Sequence, residues 1–472
     1  MIKMNANLQK RQGEETMRIE QDMVGSASIP EEVYYGLQSL RAAENFHITG
    51  RKLNPQFIES LAEIKKAAAL VNGESGRLSA QRRDAIVRAC DEILAGKLRD
   101  QFITDPIQGG AGTSANMNMN EVVANRAIEI MGGRKGDYSV VHPNDHVNMC
   151  QSTNDVIPTA GRMTVLKLIG GACEQMARLA GALAVKEREF DHILKMGRTQ
   201  MQDAVPIRLG QEFGAYRSMV ERDLERMRRI PDELRQVNMG GTAIGTCINA
   251  DRHYVENIVP KLSEVSGLEL AHAANLIDAT QNLDAFVAVS SVMRTSAVSL
   301  SKMANDLRIL SSGPRTGFHE INLPPRQNGS SIMPGKVNPV IPEVVSQVAF
   351  GIVGNDVTIA MAAEAGQLEL NAFEPVVFYK LFESITSFTG AVQTLVDNCV
   401  SGITANEAHC EDLVNHSVGV ITALCPYIGY SVAADVAKTA IRKNIPVRDE
   451  LLARNLLANE DLDRYLNPYA MT

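Results

Sequence analysis

Residues 329 to 339 read GSSIMPGKVNP and hold paired hydroxyls (Ser330, Ser331), a cation (Lys336) and an amide (Asn338) in one short loop. Gly329 and Gly335 permit close backbone approach, and Pro334 and Pro339 restrict the chain around them. Such a loop can hold an anion beside an oxygen that moves a proton. Length alone would make it an ordinary polar connection.

Three further segments carry the same residue types. In GGAGTSANMNMNEVVANRA, from Gly109, glycines precede Thr113, Ser114 and Asn116 and then a helical pattern, which is how a helix start offers free amides to an anion. Taken alone, N-capping by Thr113 or Ser114 is the favoured reading, worth about 1 kcal/mol. In HPNDHVNMCQSTNDVIPTA, residues 142 to 160, Ser152, Thr153, Asn154 and Asp155 crowd just before Pro158, more capping residues than one helix start requires. His142 and His146 have a spacing that suits metal ligands on a helix, but Pro143 and Asn144 indicate a turn and a third ligand is not evident, so no metal is expected. In MGRTQMQDAVPIRLGQEF, from Met196, Thr199 and Gln200 read as a polar loop.

These segments need a scaffold, and 472 residues with 45% apolar and 22% charged composition suffice for a large core. Residues 279 to 312 contain neither Gly nor Pro and would make roughly nine helical turns. A second helical run follows Pro158, with Val165, Ile169, Cys173, Met176, Ala180 and Leu183 at three- and four-residue steps. Several apolar faces imply a bundle and make burial in an oligomer plausible. The expected division is a disordered arm over 1–16, with Met17 an alternative start, an N-terminal domain over 17–151, a central long-helix domain over 152–404 and a small helical domain over 405–472. Seven cysteines without a C-x-x-C pair fit a reducing cytosol. No signal peptide and no stretch long and apolar enough to span a bilayer is expected. A net charge of -8 argues against a general nucleic-acid binder.

The loop resembles the signature G-S-x-x-M-x-x-K-x-N of the fumarase/aspartase superfamily, matched by Gly329, Ser330, Met333, Lys336 and Asn338. The other three segments, and NMGGTAIGTCINA at 238 to 250, resemble the family's dispersed active-site segments. The resemblance implies a mainly α, three-domain fold with a long central helical bundle, twenty helices in a homotetramer, and active sites shared by three subunits. It implies cofactor-free elimination across Cα and Cβ of a succinyl-type substrate. Ser330 would be the base that removes the Cβ proton, its pKa lowered by loop amides and Lys336 in a site closed by a mobile loop. Lys336 and Asn338 would hold the α-carboxylate, with Ser331 beside them. Thr113, Ser152 and Thr153 would surround the β-carboxylate, which becomes an aci-carboxylate, and Asn154, Thr199 and Gln200 would lie near the leaving group.

Gln200 stands where fumarases have histidine, Met149 where they usually have lysine, and Thr153 where they have a second serine, so the aspartase branch is the better match. That branch implies L-aspartate as substrate and fumarate and ammonia as products. A neutral amide cannot shuttle protons as histidine does, so Gln200 receives no acid/base role. Fumarate hydration, lysis of an N-substituted aspartate and a noncatalytic helical scaffold are the alternatives. Cys150 replaces the family's usual serine, and Cys247-Ile248 its usual Gly-Leu; both read as packing variants.

Overall fold

The structure, a computed structural model, describes residues 16 to 466 and residue 472. The expected disordered arm thus lies outside the described residues except for Thr16, whose carbonyl accepts the Glu31 N–H at 2.7 Å. Helices dominate, and among the described residues the strands form two-stranded sheets only. The chain separates into two compact units that alternate along the sequence. The first holds Met1–Gly170, Arg229–Ser291 and Gly354–Ile385; the second holds Gly171–Arg228, Val292–Val353 and Thr386–Thr472. Four long helices, Thr153–Glu189, Asp284–Leu310, Val340–Glu364 and Glu374–Asn398, contribute residues to both.

Three expectations about these helices are corrected. The Gly- and Pro-free run from 279 to 312 is not one helix: Leu276–Gln281 stops at Asn282, whose backbone is extended and whose side chain donates to Asp278 at 2.7 Å, and the long helix starts at Asp284. The helix expected after Pro158 begins at Thr153, with the proline inside it. The expectation that no stretch is long and apolar enough to cross a bilayer fails for Val340–Glu364, whose 18-residue window has a mean hydropathy of 1.4. Only 39% of that window is buried, leaving Phe350, Val357 and Met361 exposed. A helix that packs against others passes the same test of length and composition.

In the first unit, the helix Pro55–Glu74 packs against Ala80–Leu94, Thr113–Ile130 and Arg252–Ser266. Its start is fixed locally: Asn54 accepts from the Gln56 amide and Pro55 occupies the first turn. Phe57, Phe286, Phe378 and Phe382 build an aromatic core with neighbouring centroids 5.0 to 6.1 Å apart. In the second unit, the hairpin Leu194–Thr199 and Gln202–Arg208 leads into the helix Leu209–Arg228. Met196 packs there with Val414, Leu424, Val436 and Leu451 of the C-terminal helices.

Candidate active site

In the first unit the structure brings together Thr113, Ser152, Thr153 and Asn154. Gly112 precedes the helix Thr113–Ile130 at φ +86°, and a Cβ there would meet the Ile157 side chain at 3.0 Å, so only glycine lets this helix start lie on the first turns of Thr153–Glu189. The capping expected of Thr113 or Ser114 is not found. Gly112 occupies the cap position, Thr113 Oγ1 donates to the Gly110 carbonyl at 2.7 Å, and the Ala115 amide is taken by Gln108 at 2.8 Å.

At the second helix start Ser152 Oγ accepts the Asn154 amide at 3.2 Å, and Asp155 returns the favour by accepting the Ser152 amide at 2.9 Å. A hydroxyl that accepts inward keeps its own proton to donate, so Ser152 can both cap the helix and face an anion. Asp155 is buried and also accepts the amides of Gly240 (3.1 Å) and Thr242 (3.0 Å), tying the 238–250 segment to this helix start. Asn154 Nδ2 donates to the Ala243 carbonyl at 2.7 Å, which leaves Oδ1 as its acceptor end for a ligand.

Pro158 lacks the N–H that would bond the Asn154 carbonyl, and buried Asn238 replaces it, donating to that carbonyl at 3.0 Å and to Thr280 Oγ1 at 3.0 Å. Asn238→Ala is expected to lower the unfolding free energy by about 1–3 kcal/mol, because it takes the donor from the half-buried Asn154 carbonyl and from buried Thr280 Oγ1. The urea midpoint of the variant checks this. Cys247, read as a packing variant, sits at φ +59°, where the family's usual glycine is unstrained, and Cys150 sits at φ +62°. His142 caps one π-helical turn, Pro143–Val147, and His146 lies within it. His142 Nδ1 accepts the amides of Asn144 and Asp145, and His146 Nδ1 accepts the His142 amide at 2.8 Å.

The second unit holds Thr199, Gln200, Ser330, Ser331, Lys336 and Asn338. The polar loop expected around Thr199 and Gln200 is instead a hairpin: Thr199 pairs with Gln202, and Gln200 and Met201 form its tip at φ +54° and +62°. Its base is fixed by buried Glu320, which accepts from Arg198 at 2.8 Å and lies 3.3 Å from Lys195. The side chain of Gln200 is therefore presented on a stiff, exposed support.

The 329–339 loop is closed at its neck by Gly329 N–H to the Lys336 carbonyl and by Asn338 Nδ2 to the Gly329 carbonyl, both 2.9 Å. A Cβ on Gly329 would stand 2.2 Å from the Lys336 oxygen, so glycine is required. Within the loop Ser330 Oγ accepts the backbone N–H groups of Ile332 and Met333, each at 3.2 Å. Two amides thus point at the oxygen that would carry negative charge as a base. Ser331 and Lys336 are exposed. Lys336, Asn338 and the hairpin's Met201 line one open cavity of about 1010 Å³ with Arg308, His319 and Asn322.

Sequence reading named Asn116 and Asp155 only as polar residues at helix starts, without a role in the site, and missed Lys65. Leu61, Lys65, Ala68 and Asn72 are all buried and recur at helical spacing, so a lysine on an apolar stripe was the available signal.

Comparison with known proteins agrees with this geometry. Residues 25–354 match the lyase family model and residues 420–472 the fumarase C C-terminus model. The aspartate ammonia-lyase of Bacillus subtilis (strain 168) is 52% identical over 98% of this chain and 97% of its own length. The structure of a cobalt-bound fumarate lyase:delta crystallin from Brucella melitensis superposes with a TM-score of 0.94 at 48% identity, covering 97% of this chain and 100% of that one. A class II fumarase from Schistosoma mansoni gives 0.91 at 35% identity, covering 97% and 99%.

Proposed function

The chain belongs to the fumarase/aspartase superfamily and is a carbon–nitrogen lyase of its aspartase branch; we propose that it reversibly deaminates L-aspartate to fumarate and ammonia. In this reading Ser330 Oγ takes the Cβ proton, and the electron pair moves into the β-carboxylate to give an aci-carboxylate. Its collapse forms the Cα–Cβ double bond and expels the amino group. Ser152 and Thr153 donate to the carboxylate that gains charge, joined by Thr113 once its hydroxyl is released from the Gly110 carbonyl, and such donors lower the barrier selectively. Lys336, Asn338 and Ser331 hold the α-carboxylate once Asn338 is released from the Gly329 carbonyl. Thr199 and Gln200 approach the amino group.

The observation that carries the choice of an amine is Asn154. One N–H of its amide is held by the Ala243 carbonyl, which orients the side chain and leaves Oδ1 as an acceptor for an ammonium group, which can only donate.

Exposed Phe350, Val357 and Met361 on Val340–Glu364 support burial of that helix face against further copies of the chain in a homotetramer. In that assembly the Ser330 loop of one subunit meets the Thr113 and Ser152–Asn154 segments of others. Seven free cysteines support a cytoplasmic location.

The test is fumarate absorbance with chelator-treated protein, given L-aspartate and L-malate separately. Fumarate from aspartate alone is expected. Formation from malate alone would overturn the reading in favour of fumarate hydration, and silence with both would favour an N-substituted aspartate or a scaffold.

A further inference from the structure

Behind the first-unit site lies a buried cation that the reaction as described does not use. Lys65 is fully enclosed, and its Nζ donates to three amide oxygens: Asn116 Oδ1 at 2.7 Å, Gln151 Oε1 at 2.8 Å and Asn148 Oδ1 at 2.9 Å. An ammonium has three N–H donors and no acceptor, so three oxygens satisfy its charged form completely. A neutral amine would turn a lone pair on one of them. Because Lys65 takes the oxygen of Asn116, the amide nitrogen of that side chain is left to donate to two other acceptors, Asn148 Oδ1 at 3.3 Å and Thr153 Oγ1 at 3.4 Å. Thr153 then accepts from inside the protein, and its proton is left for the ligand side.

We propose that Lys65 is a positioning residue that sets the hydrogen-bond polarity of Thr153, through Asn116, so that Thr153 donates to the carboxylate on which charge develops. The proposal rests on the aspartate reading above and adds to it a residue that never touches substrate. The chain of contacts is short and directional: ammonium to amide oxygen, amide nitrogen to hydroxyl oxygen, hydroxyl proton to carboxylate. Burial pushes the Lys65 ammonium down to about 7, opposed by the carboxylate of Asp155. Asp155 is itself held by three backbone amides, and the Cys90 thiol, pushed up to about 12 by burial, adds no charge near neutrality.

A structural role alone would weaken all ligands together, whereas polarity at Thr153 matters most when the carboxylate becomes doubly charged. The experiment therefore compares two inhibitors on Lys65→Met. Succinate copies the ground state, and 3-nitropropionate, as its nitronate, copies the aci-carboxylate. Nitronate affinity is expected to fall about 10- to 100-fold, the range seen when a residue that orients a contacting group is lost. Succinate affinity should change less than about 3-fold, and kcat for aspartate should fall with the nitronate while KM holds.

Asn116→Asp gives a second route if Lys65→Met does not fold. It keeps an oxygen for Lys65 but replaces the N–H that Thr153 accepts, and the same selective loss is expected. Equal weakening of both inhibitors, or no change in either, would overturn the proposal. Native protein that binds both inhibitors but does not turn over aspartate would sink the functional reading instead, since the inhibitor ratio is read without turnover.

Discussion

Ser330→Ala is expected to lower kcat for aspartate about 10³- to 10⁴-fold while leaving KM within a few-fold. Removing a positioned general base costs up to this much, equivalent to about 4–5.5 kcal/mol of barrier. The loop geometry favours the upper part of the range. Two backbone amides already converge on Oγ, so the oxygen is prepared for negative charge before substrate arrives. Alanine leaves those amides in place but removes the only atom they serve. The Gly329–Lys336 and Asn338–Gly329 bonds that close the loop do not involve the serine side chain, so the melting temperature should be unchanged. Continuous fumarate absorbance over several hours checks the loss. Turnover at the native rate would refute Ser330 as the base.

Lys336→Met should act differently. The α-carboxylate carries the same charge before and during proton removal, so its cation contributes binding that is nearly uniform along the reaction. KM is expected to rise about 100-fold, about 2.7 kcal/mol and toward the lower end of the range of about 2–5 kcal/mol for removing one partner of a desolvated charge pair. A smaller fall in kcat accompanies it, because Lys336 also adds positive potential near Ser330. The pair of variants separates the two roles by the way kcat and KM divide. If Lys336→Met lost kcat as Ser330→Ala does and kept KM, the lysine would belong to the chemistry and not to carboxylate binding.

The parts of the site legible in the sequence were those built locally. Gly329, Ser330, Lys336 and Asn338 lie in one loop, and their types announce what the loop does. Ser152 to Asp155 likewise announce a helix start, where Ser152 Oγ turned out to accept an amide as the cap and so to keep its own proton. Structure set by distant partners was hidden. The tip at Gln200 and Met201 carries no glycine, so nothing marked it as a hairpin, and its rigidity comes from Glu320 far along the chain. Lys65 carried no local mark of a role because its three acceptors come from Asn116, Asn148 and Gln151, none of them nearby in sequence. The helix break at Asn282 was missed for the opposite reason: one local side-chain bond outweighed an otherwise unbroken helical composition.

Pro158 and Asn238 also bear on how the chain is born. The carbonyl that the proline leaves without a partner is on Asn154, and the side chain that satisfies it lies 84 residues later. At synthesis rates of about 5–20 residues per second, the ribosome needs roughly 4 to 17 s to make that stretch. Through that interval the nascent helix start waits with its carbonyl toward water, and the Ser152–Asn154 surface cannot take its final form. The cleft for the β-carboxylate is thus assembled late, after most of its own residues have left the exit tunnel.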